Sequence, residues 1–350
     1  MRRGSRLALA LPLIAFLAAI VALATAGSEP SSHPSSSTRS VTSRGAVLPG
    51  TRSAATRTAR PGVLHVRARS LGALPSAVED AAVAPLGSGS VALLGGIDAA
   101  QSSVSTITIT SAGSARVGGA LPAPQHDAQA ATLGQDVYVF GGGVVSSYDH
   151  ILRYDPSNKQ VASVATLPSA ASDVAVAALG DTAYVVGGYD GVHPLDTILA
   201  WRPGSAPRVV GHLPTGLRYA AVAALDGRLI IAGGSQGPSE ALSDAIYSFD
   251  PASGTLRQIG RLPVPLTHAS AAAIDGQVLV VGGRRQLDGD QSSAIVDIDP
   301  STGRVHIAGR LPVARSDAAV AVAGGRVLVA GGESPAGVQN SIFELSPAAP

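Results

Sequence analysis

A pair of adjacent glycines closes a short apolar run six times in this chain: Gly95-Gly96, Gly141-Gly142, Gly187-Gly188, Gly233-Gly234, Gly282-Gly283 and Gly331-Gly332. Successive pairs are 46, 46, 46, 49 and 49 residues apart. A Leu-Pro dipeptide stands upstream of each one, at Leu74-Pro75, Leu121-Pro122, Leu167-Pro168, Leu213-Pro214, Leu262-Pro263 and Leu311-Pro312. Leucine and first glycine are 20 residues apart in five repeats and 21 in the first, where Gly87-Ser88-Gly89-Ser90 accommodates the extra residue. Two independent markers held at one distance define an internal repeat of a length used by solenoids and propellers.

Each repeat reads as four strands. In the fourth, the Ala/Val-rich stretch Ala220–Leu225 meets the turn Asp226-Gly227 and then Arg228–Ala232, which runs into the glycine pair. Asp-Gly between two apolar runs is a hairpin signal. After a variable loop a third strand ends before x-Pro, as in Tyr154-Asp155-Pro156, Trp201-Arg202-Pro203 and Phe249-Asp250-Pro251. A fourth strand, such as Leu256–Ile259, leads into the next Leu-Pro. Four strands in about 46–49 residues make one propeller blade. The glycine pairs are read as structural: they permit backbone shapes and approaches closed to other residues. No helix follows them, as a phosphate loop would require.

The glycine pairs, the hairpins before them and turns such as Tyr154-Asp155-Pro156 make residues 62–350 resemble the kelch-repeat family, as it occurs in bacterial exported or membrane-anchored proteins. The resemblance implies an all-β, six-bladed β-propeller with four antiparallel strands per blade. One position departs from it. Kelch repeats carry a tryptophan early in the fourth strand, where this chain has Val161, Val209, Leu256 or Val305; its one tryptophan, Trp201, stands at a tyrosine position. The chain ends after the third strand of the last unit, and Val63–Leu74 resembles Arg304–Leu311. The N-terminal segment is therefore expected to supply the fourth strand of the last blade and remove two open edges.

Arg2, Arg3 and Arg6 precede an uncharged apolar run from Leu7 to Gly27, the pattern of an export signal. At about 1.5 Å per residue the run is long enough to span a bilayer as a helix. Ala24-Thr25-Ala26 also offers a cleavage site, so residues 1–27 are a signal peptide or a transmembrane anchor. Either reading leaves the rest outside the cytoplasm, secreted or membrane-anchored. Residues 28–61 are rich in Ser, Thr, Pro and Arg and show no apolar period, which predicts a disordered linker.

Composition narrows the chemistry. With no cysteine, disulfides, thiolate metal sites and cysteine nucleophiles are excluded. The net charge of +1 gives no field for nucleic acid. No metal-binding His cluster, HExxH, GxSxG or Walker motif appears, and no cofactor and no metal ligand set is assigned.

The repeat register aligns candidate site residues. Five residues after each proline stand Asp80, Asp127, Asp173, Tyr219, His268 and Asp317; one residue earlier stand Glu79, His126, Ser172, Arg218, Thr267 and Ser316. Both sets enter the innermost strands, so closure of the wheel brings them into rings at one channel mouth. Four carboxylates in a ring can hold a hard cation or form a polar floor for a sugar or peptide. An Asp at a strand entrance also commonly bonds amides of its own turn. Arg284 and Arg285, in the long loop Arg284–Ser293, join the ring as ligand-binding candidates. The expected function is an extracytoplasmic, non-enzymatic binding or scaffold module for a protein or glycan at the cell surface. The alternative is a sugar-active enzyme, since the resemblance includes sialic-acid mutarotases; that activity needs an acid–base group and a carboxylate-binding arginine, for which Glu79, His126, Arg218 and His268 are the candidates. The resemblance also includes copper-radical oxidases, whose Tyr–Cys crosslink this chain cannot make.

Overall fold

Six four-stranded antiparallel sheets follow one another along the chain in the computed structural model, which describes residues 63–111 and 113–348. The innermost strands are Ala82–Leu86, His126–Leu133, Ala175–Leu179, Ala221–Leu225, Ser270–Ile274 and Ala319–Ala323. Each packs against the next in cyclic order, and the sixth packs against the first. The result is a six-bladed β-propeller. The apolar run of residues 1–27 and the linker of 28–61 lie outside the described residues; among the described residues no helix is long and apolar enough to cross a membrane.

Closure is as expected. Val66–Ala73 pairs antiparallel with Ser341–Pro347, from Val66 opposite Pro347 to Ala73 opposite Ser341, and completes the last blade. Arg69 adds an ion pair to Glu344 at 3.1 Å. The chain just before this strand is also held: Asp297 accepts from the Leu64 N–H, and Ala348 donates to the His65 carbonyl at 2.8 Å.

The two sequence markers meet in space. The second glycine of every pair donates its N–H to a carbonyl three residues past the proline of the following repeat: Gly96 to Gln125, Gly142 to Ala171, Gly188 to Leu217, Gly234 to Leu266, Gly283 to Arg315 and Gly332 to Val78, all at 2.8–2.9 Å. The first glycine makes room for that carbonyl. A Cβ on Gly187 would lie 2.2 Å from the Leu217 oxygen, and the other five first glycines are equally tight. Gly187 also has φ +61, where L-residues are strained. The marker leucines are buried, and each donates its N–H back to the preceding repeat, as Leu213 does to Asp196 at 2.7 Å.

The blades pack with small side chains because the core is built from Ala, Val, Leu and Ile. Aromatic residues are used sparingly, one per slot. Tyr154 is fully buried and donates to the Gly118 carbonyl at 3.1 Å. Phe249 lies over Gly211, where a Cβ would meet the ring at 2.5 Å. Trp201 fills the same slot and packs edge-on against Tyr138 and Phe140. A β-bulge recurs between the third and fourth strands of all six blades, for example at Ile246/Tyr247. The periodicity analysis did not find it, because one inserted residue leaves no mark in such short runs.

Two expected outcomes test this account. Gly187→Ala and Gly180→Ala both place alanine at φ near +60, but Gly180 has open space around it. Urea unfolding should show about 1–3 kcal/mol lost in Gly180→Ala from backbone strain, and a distinctly larger loss in Gly187→Ala. Removing residues 62–74 should lower the melting temperature by roughly 10 °C or more, whereas removing 28–60 should leave it nearly unchanged.

Candidate functional site

The six ring residues share one unusual backbone conformation. Asp80, Asp127, Asp173, Tyr219, His268 and Asp317 all have φ between +50 and +57. Aspartate tolerates this left-handed region better than most residues. In four of them the N–H bonds a ring residue of the neighbouring blade. Asp80 donates to the Asp317 carbonyl, Asp173 to Asp127, Tyr219 to Asp173 and Asp317 to His268, at 2.8–3.1 Å. The side chains are thereby directed into the mouth of the channel, where they line a cavity of about 70 Å³. Below it runs a channel of about 290 Å³ walled by alanine and valine, with Gln129, Thr132 and Ser270 among its few polar side chains.

The expected bond from each aspartate to its own turn does not form. Among the described residues none of the four carboxylates accepts a backbone amide. They meet each other and two arginines instead. Asp127 lies beside Asp173, and Asp80 beside Asp317, close enough that Asp173 raises Asp127 and Asp317 raises Asp80. Arg218 pairs with both Asp173 and Glu240. Arg284 pairs with Asp317 at 2.6 Å and Glu333 at 3.0 Å. Between the two clusters the Tyr219 and His268 rings stack at 3.7 Å, and Tyr219 reaches Asp127 at 3.4 Å. The Arg218 guanidinium also lies 4.2 Å above the Tyr189 ring.

Burial sets the protonation pattern. It pushes Asp127 well above the usual carboxylate range, and the charges of Asp173 and Asp317 push it further. Asp80 is raised for the same reasons, with Asp317 and Asp127 as its neighbours. Glu79 is pushed up to about 7 by burial and by Asp317 and Glu333. Burial pushes the Tyr219 phenol up and the His126 imidazole down. Carboxyls raised in this way, set beside carboxylates paired with arginine, give a mouth with groups suited to proton transfer.

All four acid–base candidates are at this mouth, yet they do not form one constellation. Glu79 is buried on the Arg284 side, with Gln101 at 3.4 Å. His126 lies 3.5 Å from Asp127 and 2.8 Å from the Ser103 hydroxyl. Arg218 is locked in its ion pairs, and His268 in its stack. No hydrogen bond or ion pair joins any two of the four among the described residues. Arg284 enters the ring as expected. Arg285 does not: it turns outward to an exposed pair with Asp290. Sequence analysis missed Tyr189, Glu333 and Glu240. Tyr189, Arg284 and Glu333 are each the first residue after a glycine pair, and these positions pair with Ser172, Thr267 and Ser316. That register would have revealed Tyr189 and Glu333. Glu240 comes from a variable loop and had no such signal.

No protein-family model and no curated protein matches the chain. The solved structure of YjhT is similar: it superposes with a TM-score of 0.67 at 16% identity, covering 80% of this chain and 99% of that one. At this identity the likeness shows the propeller fold.

Burial holds His268 down at about 4, against an ordinary 6.5. As pH falls the unfolded chain takes up this proton first, so the stability is present above about 6.5 and lost as pH falls toward 4. The charged groups that act on this imidazole are Asp317, Arg284, Asp173 and Arg218. His268→Asn, a residue suited to positive φ, should show a smaller difference in urea midpoint between pH 7.5 and pH 5 than the parent protein.

Proposed function

We propose that the ring acts on a small sugar, exchanging its anomers by proton transfer, in the manner of sugar-active kelch propellers. The observation that carries this reading is the Asp127–Asp173 pair. Burial and the charges of Asp173 and Asp317 raise Asp127 well above the usual carboxylate range, which suits it to act as the acid, and Asp173, paired with Arg218, stands beside it as the base. A neutral acid beside a carboxylate is the arrangement that ring opening needs. Asp127 gives its proton to the ring oxygen as Asp173 takes the proton of the anomeric hydroxyl. The bond from the anomeric carbon to the ring oxygen breaks and the carbonyl forms; reversal of these steps closes the ring on either face.

The arginines argue for a neutral sugar. Mutarotation of sialic acid needs a guanidinium free to take the sugar's carboxylate. Here Arg218 lies between Asp173 and Glu240, and Arg284 between Asp317 and Glu333. The surrounding carboxylates would repel an anionic substrate.

Exchange spectroscopy of glucose and galactose anomers should show faster interconversion than buffer alone. Asp127→Asn should reduce the enhancement about 10²-fold, and the enhancement should decline as rising pH removes the Asp127 proton. A rate equal to buffer for both sugars would remove the enzymatic reading.

A second reading, recognition without turnover at the cell surface, is favoured by the rim. Val145 and Val192, on the loops after the second and third glycine pairs, are 99% and 69% exposed. Such apolar tips suit a larger glycan or protein partner. In both readings we place the propeller outside the cytoplasm, behind residues 1–27; fractionation of cells would test that placement.

A further inference from the structure

We propose that Glu79, Asp80 and Asp317 bind a divalent cation of the calcium type at the mouth of the channel. One carboxylate oxygen from each residue lies within 4.8 Å of the others. Oxygens around calcium stand at about 2.3–2.6 Å from the ion, so ligands on opposite sides are separated by roughly that span. The three residues come from the two blades that the N-terminal strand closes together, the sixth and the first.

A second observation points to an ion. Glu79 is only 4% exposed, and its Oε2 atom is buried without any hydrogen-bond partner. A buried carboxylate oxygen lacking a partner is costly, and this one belongs to a side chain aimed at two further carboxylates. Its other oxygen is engaged by the Gln101 amide, which orients the carboxylate.

Neighbouring contacts support the same geometry. Arg284 holds the Oδ2 atom of Asp317 and is itself fixed by Ser316 at 3.1 Å. The arginine acts as the outer partner that orients the Asp317 carboxylate. Gln291 and Arg284 both bond Glu333, so that carboxylate supports the site from behind. Four carboxyl groups face one guanidinium there, so a divalent cation can take the place of the protons their crowding favours. Water from the open mouth can complete the coordination that three protein oxygens begin. The proposal uses Glu79, Asp80 and Asp317, whereas the sugar reading uses Asp127 and Asp173, so substitutions can test the two separately.

The test is calcium chloride titrated into the full chain after treatment with a chelator, followed by calorimetry and by thermal unfolding. Binding is expected in the range of about 10⁻⁵ to 10⁻³ M, with a melting temperature that rises with calcium concentration. Glu79→Gln and Asp80→Asn should each weaken binding at least about tenfold. Asp290→Asn, in the exposed pair with Arg285, should bind as the parent does. Either ring variant suffices if the other fails to fold. No heat and no thermal shift with calcium, magnesium or manganese at about 10 mM, well above the range for weak calcium modules, would overturn the proposal. So would an equal shift from sodium chloride at matched ionic strength, or calcium binding that survives both ring substitutions.

Discussion

A carbonyl resting on a glycine pair, repeated six times, holds this wheel together. Each contact joins the end of one blade's second strand to the lead-in of the next blade, and the last joins Gly332 to Val78. The approach is so close that a single methyl group at the first glycine would overlap the oxygen. This explains why two markers in the sequence keep one spacing. The Leu-Pro segment and the glycine pair are two sides of a single inter-blade joint, and a shift in either would misplace the hydrogen bond. The strand Val66–Ala73 then makes the joint between Gly332 and Val78 possible, by completing the sheet that carries Gly332.

The joint also builds the site. Just past each lead-in the chain turns through a left-handed residue before entering the innermost strand. That turn gives the backbone a bond to its neighbour and sends the side chain into the channel mouth. Six-fold repetition of a structural device therefore concentrates six side chains around one axis. Four of them are carboxylic acids, which ordinary water would keep apart and ionised. Burial together with mutual repulsion raises Asp80 and Asp127, while Asp173 and Asp317 are paired with Arg218 and Arg284. The polar mouth contrasts with the alanine-lined channel beneath it, so small ligands have partners at the entrance and few further in.

The ring carries two kinds of cluster around one small cavity. Asp127 and Asp173 lie beside the Tyr219–His268 stack, with Arg218 on Asp173. Glu79, Asp80 and Asp317 bring three carboxyl groups together, with one Glu79 oxygen unpartnered among the described residues. Both arginines are consumed in holding carboxylates, and this separates the mouth from one made to capture an acidic sugar.

Blade number, strand order, closure by the first strand and the membership of the ring were all legible in the amino-acid sequence. Each is a matter of period, and local turn chemistry with alternating burial writes period directly into the chain. The repeat register even held the positions of Tyr189 and Glu333, one residue beyond each glycine pair. What the ring residues do to one another was decided only by tertiary structure. Asp80 and Asp317 are far apart along the chain, and whether their carboxylates touch depends on closure of the wheel and on the side-chain direction imposed by positive φ. The same holds for Arg218, which the repeat register marked as a candidate to bind a sugar's carboxylate and which in the folded chain is claimed by Asp173 and Glu240. Repetition is local and survives in a linear string, whereas charge pairing depends on distance through space and on the water that folding removes.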